Sequence, residues 1–290
     1  VGSVITFYAL LAYFIEPIKN LIQLQPMLQT AFVAADRLND ILDLQSENME
    51  NGSEMPKSVK CWNFENIDFR YGNRELILND ISLKINRGEK IAIVGESGSG
   101  KTTFIKLCAG LLTPTTGNIR INGCEIGVKT KEMVAYLPEK TYLGRTEKVK
   151  DIVQFFDEMY GNFQKDIAYQ MLSDLGIDKE DKLNVMSKGT KEKVQLIMVM
   201  SRKADLYLLD EPMGGVDPAA RDYILNTIIS NYNPKGSILI STHLISDVEN
   251  VLDDVVVIKQ GNIVLHDMVD TIRMQKGCSL DALFREVFRC

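Results

Sequence analysis

Residues 91–103 read IAIVGESGSGKTT, an apolar run that leads directly into a glycine-rich segment. Gly95 and Gly100 bracket four residues, and Lys101 and Thr102 follow them, which gives the pattern G-x-x-x-x-G-K-T after a strand. Glycines let successive backbone N–H groups curl around an anion, and the helix that begins near Lys101 directs its positive end at the same place. The segment predicts a phosphate-binding loop, in preference to a glycine-rich turn without a ligand.

The side chains of this loop have separate roles in the predicted site. Lys101 can reach the β- and γ-phosphates of a nucleotide, and the hydroxyl of Thr102 can ligate Mg²⁺. We expect Lys101 to take part in catalysis as well as in binding. The residues expected to hold the nucleotide are Gly95, Ser97, Gly98, Ser99, Gly100, Lys101, Thr102 and Thr103.

Two acidic residues end a second apolar strand, ADLYLLDEP, at residues 204–212. Asp210 at the end of the strand can hold Mg²⁺ through water, and Glu211 beside it can polarise an attacking water molecule as a general base. Two acids after a strand are often part of a solvated turn. The phosphate-binding loop upstream favours the catalytic interpretation here.

A third apolar strand, SILISTH at residues 237–243, delivers His243 at its end. A lone histidine is usually structural or solvent-facing, but this one follows a strand of the same predicted sheet, so we expect it to contact the γ-phosphate. The segment GGVDP at residues 214–218 follows the Glu211 strand and places Asp217 near the site. A proline-containing turn explains this segment equally well and does not exclude a role for Asp217.

Two further segments are weaker candidates. MSKGTKEK at residues 186–193 precedes an apolar helical stretch, so Ser187 and Gly189 are predicted at a helix N-terminus that could accept an anion. A capped helix with a charged first turn is the simpler explanation of that segment. Tyr71, in FRYG at residues 69–72, could stack on adenine, although most tyrosines at strand ends only pack.

In chain order, these segments resemble the ATP-binding subunit of ABC transporters over residues 60–265. The resemblance implies an α/β P-loop NTPase fold of the ABC ATPase type, with an antiparallel β subdomain and a helical subdomain at about residues 140–200. It implies ATP and Mg²⁺ as cofactors. It also implies two such domains stacked head to tail, with each ATP between the phosphate loop of one domain and Ser187 and Gly189 of the other.

Two positions depart from the family pattern. The family's L-S-G-G-Q reads MSKGT at residues 186–190, with Lys188 in place of the first glycine. The glutamine that usually couples ATP to the membrane domain is Glu139, in AYLPEKTYL. We expect Glu139 to contact nucleotide and metal, with an effect on turnover that the motif does not specify.

The N-terminal part differs from a nucleotide-binding domain. Residues 1–15 carry no charge, and the following apolar positions recur at helical spacing. A buried core helix and part of a membrane span explain residues 1–15 equally well, and the helical continuation to about residue 44 favours the span. We therefore predict the end of a last transmembrane helix with its cytosolic extension at 1–45, a linker at 46–59 and an ABC ATP-binding domain at 60–290.

Two parts of the chain resemble different branches of the family. Residues 1–100 resemble the end of the membrane domain and the start of the ATPase domain of bacteriocin or peptide exporters. Residues 120–290 resemble stand-alone ATPase subunits of bacterial multidrug or antibiotic-resistance transporters. This combination leads to the hypothesis of a fragment, or of a fusion whose pieces complete one ATPase domain.

The amino-acid composition disfavours some classes of partner. A net charge of −6 disfavours a nucleic-acid partner, and five cysteines without a C-x-x-C pair, with two histidines, favour a reduced compartment over a disulfide or metal scaffold. We expect a bacterial protein at the cytoplasmic face of the cell membrane, with a permease domain or subunit and a second ATPase domain, identical or related, as partners.

The expected function is ATP hydrolysis that drives export of a peptide, antibiotic or drug. One alternative is an ABC ATPase acting on ribosomes or DNA, which is disfavoured because no tandem ATPase domain or long coiled-coil insertion is visible and the apolar helix would have no use. Another is a regulatory domain with weak hydrolysis, motivated by Lys188 and Glu139.

Overall fold

The computed structural model describes residues 2–42, 61–121, 124–144, 148–214, 216, 218–276 and 279–288. The predicted linker at 46–59 and the candidate residue Asp217 lie outside these residues. The chain divides into two compact units, Val1–Gly52 and Ser53–Cys290. The boundary falls within the predicted linker.

The first unit contains one long helix, α1 (Gly2–Leu42), which continues through Pro17 and Pro26. Its apolar side chains, where described, are exposed to the surroundings of the chain. By length and composition alone, Gly2–Leu38 is a candidate membrane span. The helix itself agrees with the sequence pattern, while its place in a membrane stays a prediction.

The second unit is built on two sheets. Their strands are β1 (Cys61–Phe69), β2 (Leu78–Asn86), β3 (Lys90–Val94), β4 (Thr116–Ile121), β5 (Cys124–Glu125), β6 (Val134–Leu137), β7 (Leu206–Asp210), β8 (Ser237–Thr242), β9 (Asp254–Lys259) and β10 (Asn262–Met268). The order β2-β1-β4-β5 forms an antiparallel sheet. The order β10-β9-β3-β8-β7-β6 forms the central sheet, which is parallel except for β10 at one edge.

Helices cover the central sheet. They are α2 (Lys101–Cys108), α3 (Val128–Glu132), α4 (Val149–Met159), α5 (Lys165–Asp174), α6 (Lys188–Met200), α7 (Pro218–Asn231), α8 (Ile245–Val248), α9 (Val269–Lys276) and α10 (Leu280–Val287). We call α4, α5, the short 3₁₀ helix Leu183–Val185 and α6 the helical arm. It lies in the interval predicted for the helical subdomain.

Alternation along the buried strands assigns side chains to two cores. In β3, Ile91 and Ile93 join the core that contains α2 and the antiparallel sheet, while Ala92 and Val94 join the core beneath the helical arm. Successive side chains of a strand point to opposite faces, so a fully apolar strand must be covered on both sides. The continuous apolar run before the glycine-rich loop therefore specifies a central strand, which is where β3 lies.

Arg202 connects the helical arm to the central sheet through hydrogen bonds. Its buried guanidinium donates to the carbonyl oxygens of Val134 at 2.7 Å and Glu132 at 2.8 Å, and to Asn162 Oδ1 at 3.1 Å. It also lies 3.7 Å from the centre of the Tyr160 ring. These contacts supply acceptors for a buried charge. They hold the end of α6 against the start of β6.

Candidate nucleotide site

The candidate site lies where three neighbouring parallel strands end. β3 pairs with β8, and β8 pairs with β7, with Val94 opposite Thr242 and Asp210 opposite Ser241. The glycine-rich loop, Glu211 and the residue after β8 therefore emerge at one edge of the sheet. Ligands bind at the carboxyl ends of the strands in open α/β sheets of this kind.

The glycine-rich loop requires glycine at two positions for different reasons. A Cβ atom at Gly95 would meet the Ile258 carbonyl oxygen and lie 2.6 Å from Ser99 Oγ. Gly100 has φ 106°, a left-handed conformation, and a Cβ there would lie 2.7 Å from Leu78 Cδ2. Gly100 also precedes the first residue of α2 and contributes no side-chain cap. The N–H groups of the first turn are therefore available to an anion.

Lys101 is buried inside this loop. Its ammonium donates to the carbonyl oxygens of Gly95 at 2.7 Å and Glu96 at 3.0 Å, and Glu211 Oε1 lies 3.7 Å away. Burial lowers the pKa of Lys101, and the negative charge of Glu211 acts in the opposite direction. The ammonium is therefore a local positive charge in a chain of net negative charge. Its present partners are carbonyl oxygens, which phosphate oxygens could replace.

Asp210 is fixed by two hydroxyl groups. Its Oδ1 accepts hydrogen bonds from Ser241 Oγ at 2.6 Å and Thr102 Oγ1 at 3.1 Å. Burial raises the pKa of Asp210, while these two hydrogen bonds favour the ionised carboxylate. Its Oδ2 is buried and finds no hydrogen-bond partner within the described parts of the chain.

Glu211 and His243 meet beside Lys101. His243 Nδ1 lies 2.9 Å from Glu211 Oε2, and the Glu211 side chain is largely buried while that of His243 is half exposed. The Glu211 backbone has φ 49°, which is uncommon for a residue other than glycine. The carboxylate thus lies between two basic groups, at the point where a general base is expected.

Glu139 lies on the loop after β6, and this loop is tied to the helical arm. Gln195, buried in α6, accepts from the Tyr142 N–H at 3.2 Å and donates to the Pro138 carbonyl oxygen at 3.3 Å. Glu139, Asp210 and Glu211 line one small cavity. The Glu139 side chain is itself exposed.

The hydroxyl of Tyr136 is buried beside these acids. It has no hydrogen-bond partner among the residues that the structure describes. Burial raises the pKa of Tyr136, and the charges of Asp210 and Glu139 act in the same direction. The phenol is therefore a neutral donor next to the carboxylates.

Ser187 caps α6, as the segment predicts. Its hydroxyl accepts from the Thr190 N–H at 3.2 Å; Ser187 and Lys188 are exposed, and the rest of the first turn is partly buried. A Cβ atom at Gly189 would meet nothing within 4 Å. The Lys188 ammonium is exposed and lies 3.6 Å from Glu192, one turn further along α6. The helix start is open to a partner surface.

A cleft of about 1340 Å³ joins these groups. It is lined on one side by the phosphate loop, Glu211 and His243, and on the other by residues of the Glu139 loop and the helical arm, including Lys188 and Glu192. The lining contains Lys188 and nine of the residues predicted to form the site: Ser97, Gly98, Gly100, Lys101, Thr102, Thr103, Glu139, Glu211 and His243.

Other candidate residues lie outside this lining. Gly95, Ser99 and Asp210 are buried beneath it. Tyr71 is exposed in the turn after β1, where its ring packs edge-on against Phe69 at 4.8 Å between centroids. The structure does not bring Tyr71 into the cleft, so its contact with adenine stays a prediction.

Two buried oxygen atoms indicate whether the site fits a nucleotide and a metal ion. The Ser99 hydroxyl, like Asp210 Oδ2, is buried without a hydrogen-bond partner in the described chain. A hydroxyl can donate to phosphate oxygen, and a carboxylate oxygen beside a threonine hydroxyl is the ligand type that Mg²⁺ prefers. The residues present fit both groups.

Three residues described in the site were not predicted from the sequence: Tyr136, Ser241 and Gln195. The last two share a sequence signal. Each is a polar residue inside an otherwise apolar run, Ser241 in SILIST and Gln195 in VQLIMVM. Buried polar side chains are almost always hydrogen-bonded, so such interruptions indicate a specific partner. The sequence pattern does not say which partner.

Comparisons with known proteins place the chain in a family. The family model described as ABC transporter matches residues 78–214. The uncharacterized ABC transporter ATP-binding protein MJ1023 of Methanocaldococcus jannaschii is 33% identical over 214 residues, which cover 72% of this chain and 78% of that protein. A solved structure titled as the ATP binding subunit of an ABC transporter superposes with a TM-score of 0.71 at 29% identity, over 79% of this chain and 99% of that chain. The predicted fold class is confirmed.

The two predicted resemblances are also confirmed. The lactococcin transport/processing ATP-binding protein LcnC-like of Lactococcus lactis is 30% identical over 95% of this chain. The chain spans 40% of the length of that relative. The linearmycin resistance ATP-binding protein LnrL of Bacillus subtilis is 29% identical over 69% of this chain and 67% of its own length. The hypothesis that two pieces were joined stays a prediction.

The strand-end geometry, the phosphate loop and the extent of the match to MJ1023 agree. The chain therefore belongs to the ABC transporter ATP-binding family, as an ATP-hydrolysing transporter component.

Proposed function

We propose that this ATPase works as a head-to-tail pair and couples ATP hydrolysis to export of a peptide, antibiotic or drug. The observation that carries the proposal is the position of the Glu211 carboxylate, which lies 3.7 Å from the Lys101 ammonium and 2.9 Å from His243 Nδ1. The relative that serves lactococcin transport and processing supports a transport role, and the linearmycin resistance relative supports an antibiotic as cargo.

In the proposed reaction, each side chain has one task. Lys101 exchanges its loop carbonyl partners for phosphate oxygens, and Glu211 accepts a proton from the attacking water. His243 holds the Glu211 carboxylate and faces the γ-phosphate. Thr102, Asp210 and Glu139 would hold Mg²⁺, which supplies neutralisation of the phosphate charge.

The second half of each site would come from a partner domain. A γ-phosphate held by one loop alone lacks donors on its far side, and the exposed N-terminus of α6 with Ser187 and Gly189 offers such donors. Lys188 would add a positive charge beside it. Tyr71 and Asp217 would complete the contacts to adenine and to the catalytic centre.

The proposed organisation of the chain follows the two units. We propose that α1 crosses the membrane with its apolar part and extends into the cytosol, that residues 46–59 form a linker, and that residues 60–290 form the ATPase at the cytoplasmic face. A permease domain would receive the motion of the ATPase pair. Exposure of the apolar side chains of α1 supports this arrangement.

Complementation between two inactive variants tests the head-to-tail pair. Lys101→Met and Ser187→Arg each disable one half of the proposed site. Mixed in equal amounts, they should recover about a quarter of the wild-type phosphate release, because half of the pairs are mixed and each mixed pair has one intact site. Phosphate release is measured on the separate and mixed proteins over a range of concentrations.

The control mixture combines Lys101→Met with Glu211→Gln, which alter the same half of the site. Every mixed pair then has two damaged sites, so no recovery is expected. Equal recovery in both mixtures, or none with Ser187→Arg, contradicts the head-to-tail arrangement.

Pull-down from detergent extract, with and without ATP, then identifies the membrane partner.

We expect Glu139 to affect the Mg²⁺ concentration that ATPase activity requires. Glu139→Gln removes one negative charge near Asp210, so the Mg²⁺ concentration needed for half-maximal ATPase activity should rise about 3- to 10-fold. Mg²⁺ titrations at saturating ATP measure the change. Glu158→Gln, which alters an exposed acid of α4 outside both cavities, is the control and should leave the midpoint of the titration unchanged. An unchanged midpoint in Glu139→Gln contradicts a metal contact.

A further inference from the structure

Ser241 is a buried serine that contacts both catalytic acids. It lies in β8 with no exposed surface. Its hydroxyl donates to Asp210 Oδ1 at 2.6 Å and accepts the Glu211 N–H at 3.0 Å. One hydroxyl group is therefore the shared partner of two consecutive acids that have different proposed tasks.

The first contact determines which oxygen of Asp210 is left for a ligand. Oδ1 is occupied by the hydroxyls of Ser241 and Thr102, while Oδ2 is buried and has no partner in the described residues. A carboxylate held by one oxygen cannot rotate freely. The Ser241 hydroxyl thus keeps the other oxygen available for a cation.

The second contact holds the Glu211 backbone in an uncommon conformation. With φ 49°, Glu211 lies in the left-handed region, and its N–H is held by both Ser241 Oγ and the Ser241 carbonyl oxygen at 3.1 Å. This conformation directs the side chain toward Lys101 and His243, with the distances given above. Backbone strain of this kind persists where surrounding contacts determine it.

We propose that Ser241 is a positioning residue for hydrolysis, which sets the Asp210 carboxylate and the Glu211 backbone together through one hydroxyl. The proposal rests on the function proposed for these two acids. Loss of the hydroxyl lowers the rate of hydrolysis and the affinity for a divalent cation, and leaves ATP affinity almost unchanged, because Ser241 is fully buried and is not among the described residues that line the cleft.

The same strand supplies a matched control. Ser237 is also fully buried in β8, donates to the Asn86 carbonyl oxygen at 2.9 Å and accepts the Gly88 N–H at 3.1 Å. Like Ser241, it donates one hydrogen bond and accepts one from a backbone N–H, but its acceptor is a backbone carbonyl oxygen at the opposite end of the strand. Ser237→Ala therefore reports what the loss of a buried hydroxyl does to folding stability alone.

The experiment compares Ser241→Ala with Ser237→Ala in the full chain. Both should lower the unfolding midpoint to a similar extent. Only Ser241→Ala should lower kcat, by about 10-fold or more, with KM for ATP changed less than about 3-fold. Only Ser241→Ala should weaken Mn²⁺ binding, measured without turnover by electron paramagnetic resonance. Ser241→Cys, which retains a weak donor, should fall between Ser241→Ala and the wild type.

Equal kcat and equal Mn²⁺ affinity in the two alanine variants overturn the proposal. If Ser241→Ala does not fold, Ser241→Cys with wild-type kcat and Mn²⁺ affinity overturns it instead. A wild-type chain that hydrolyses no ATP contradicts the proposed function. In that case the Mn²⁺ titrations still decide whether Ser241 positions Asp210.

Discussion

Glu211→Gln should lower ATP hydrolysis by about 10²- to 10⁴-fold while ATP affinity stays within a few-fold of the wild type. The amide retains the shape of the side chain but cannot accept the proton of the attacking water. Its contact with His243 can persist, because the amide oxygen is still an acceptor. Single-turnover phosphate release and binding of a fluorescent ATP analogue, measured on the same preparations, separate the two effects.

The control for this variant is Glu158→Gln, which removes the same charge from an exposed side chain of α4 outside the cleft. It should hydrolyse ATP at close to the wild-type rate. Equal, negligible phosphate release from the wild type and from Glu211→Gln would favour a regulatory domain with weak hydrolysis. Full activity in Glu211→Gln would indicate that another residue acts as the general base.

Lys101→Met should weaken ATP binding by about 100-fold, because two hydrogen bonds from a charged donor to phosphate are lost. Methionine keeps an unbranched apolar stem in the buried position. The carbonyl oxygens of Gly95 and Glu96 lose their ammonium partner as well, so the loop itself should become less stable. Isothermal titration with ATP measures the affinity, and thermal unfolding measures the loop contribution.

Lys106→Met is the matched control, since Lys106 lies later in α2 and does not line the cleft. Its ATP affinity should stay close to that of the wild type. A similar loss of affinity in both variants would indicate that helix charge in general, rather than the Lys101 contact, attracts the nucleotide. Wild-type affinity in Lys101→Met would contradict the phosphate role of the loop.

The central sheet and its site were predictable because the informative residues follow buried strands. Apolar runs before Gly95, Asp210 and His243 must be covered on both faces, and parallel strands of this kind end at one edge. Their polar ends therefore converge even when more than a hundred residues separate them along the chain. The helix cap at Ser187 was predictable for a local reason, since a serine before an apolar helix accepts the N–H groups of its first turn.

Side-chain partners were less accessible from the sequence. The run SILIST shows that Ser241 is polar, but only the register of β7 against β8 places it opposite Asp210. The expected stack of Tyr71 on adenine likewise depends on a turn whose ring contact, to Phe69, no periodicity specifies. Pairing register and loop conformation are tertiary properties, so residues that act through them become visible only in the fold.

The two hydrogen bonds of Gln195 have a mechanical consequence. They join the Pro138–Tyr142 loop to the middle of α6, on the same helix whose first turn bears Ser187. A shift of α6 by about 1 Å against that loop would stretch both bonds beyond hydrogen-bonding distance. As long as both bonds persist, we expect small displacements of the helical arm to carry the loop that contains Glu139. We therefore expect the buried amide to transmit tilting of the arm to the Glu139 carboxylate, which lines one cavity with Asp210.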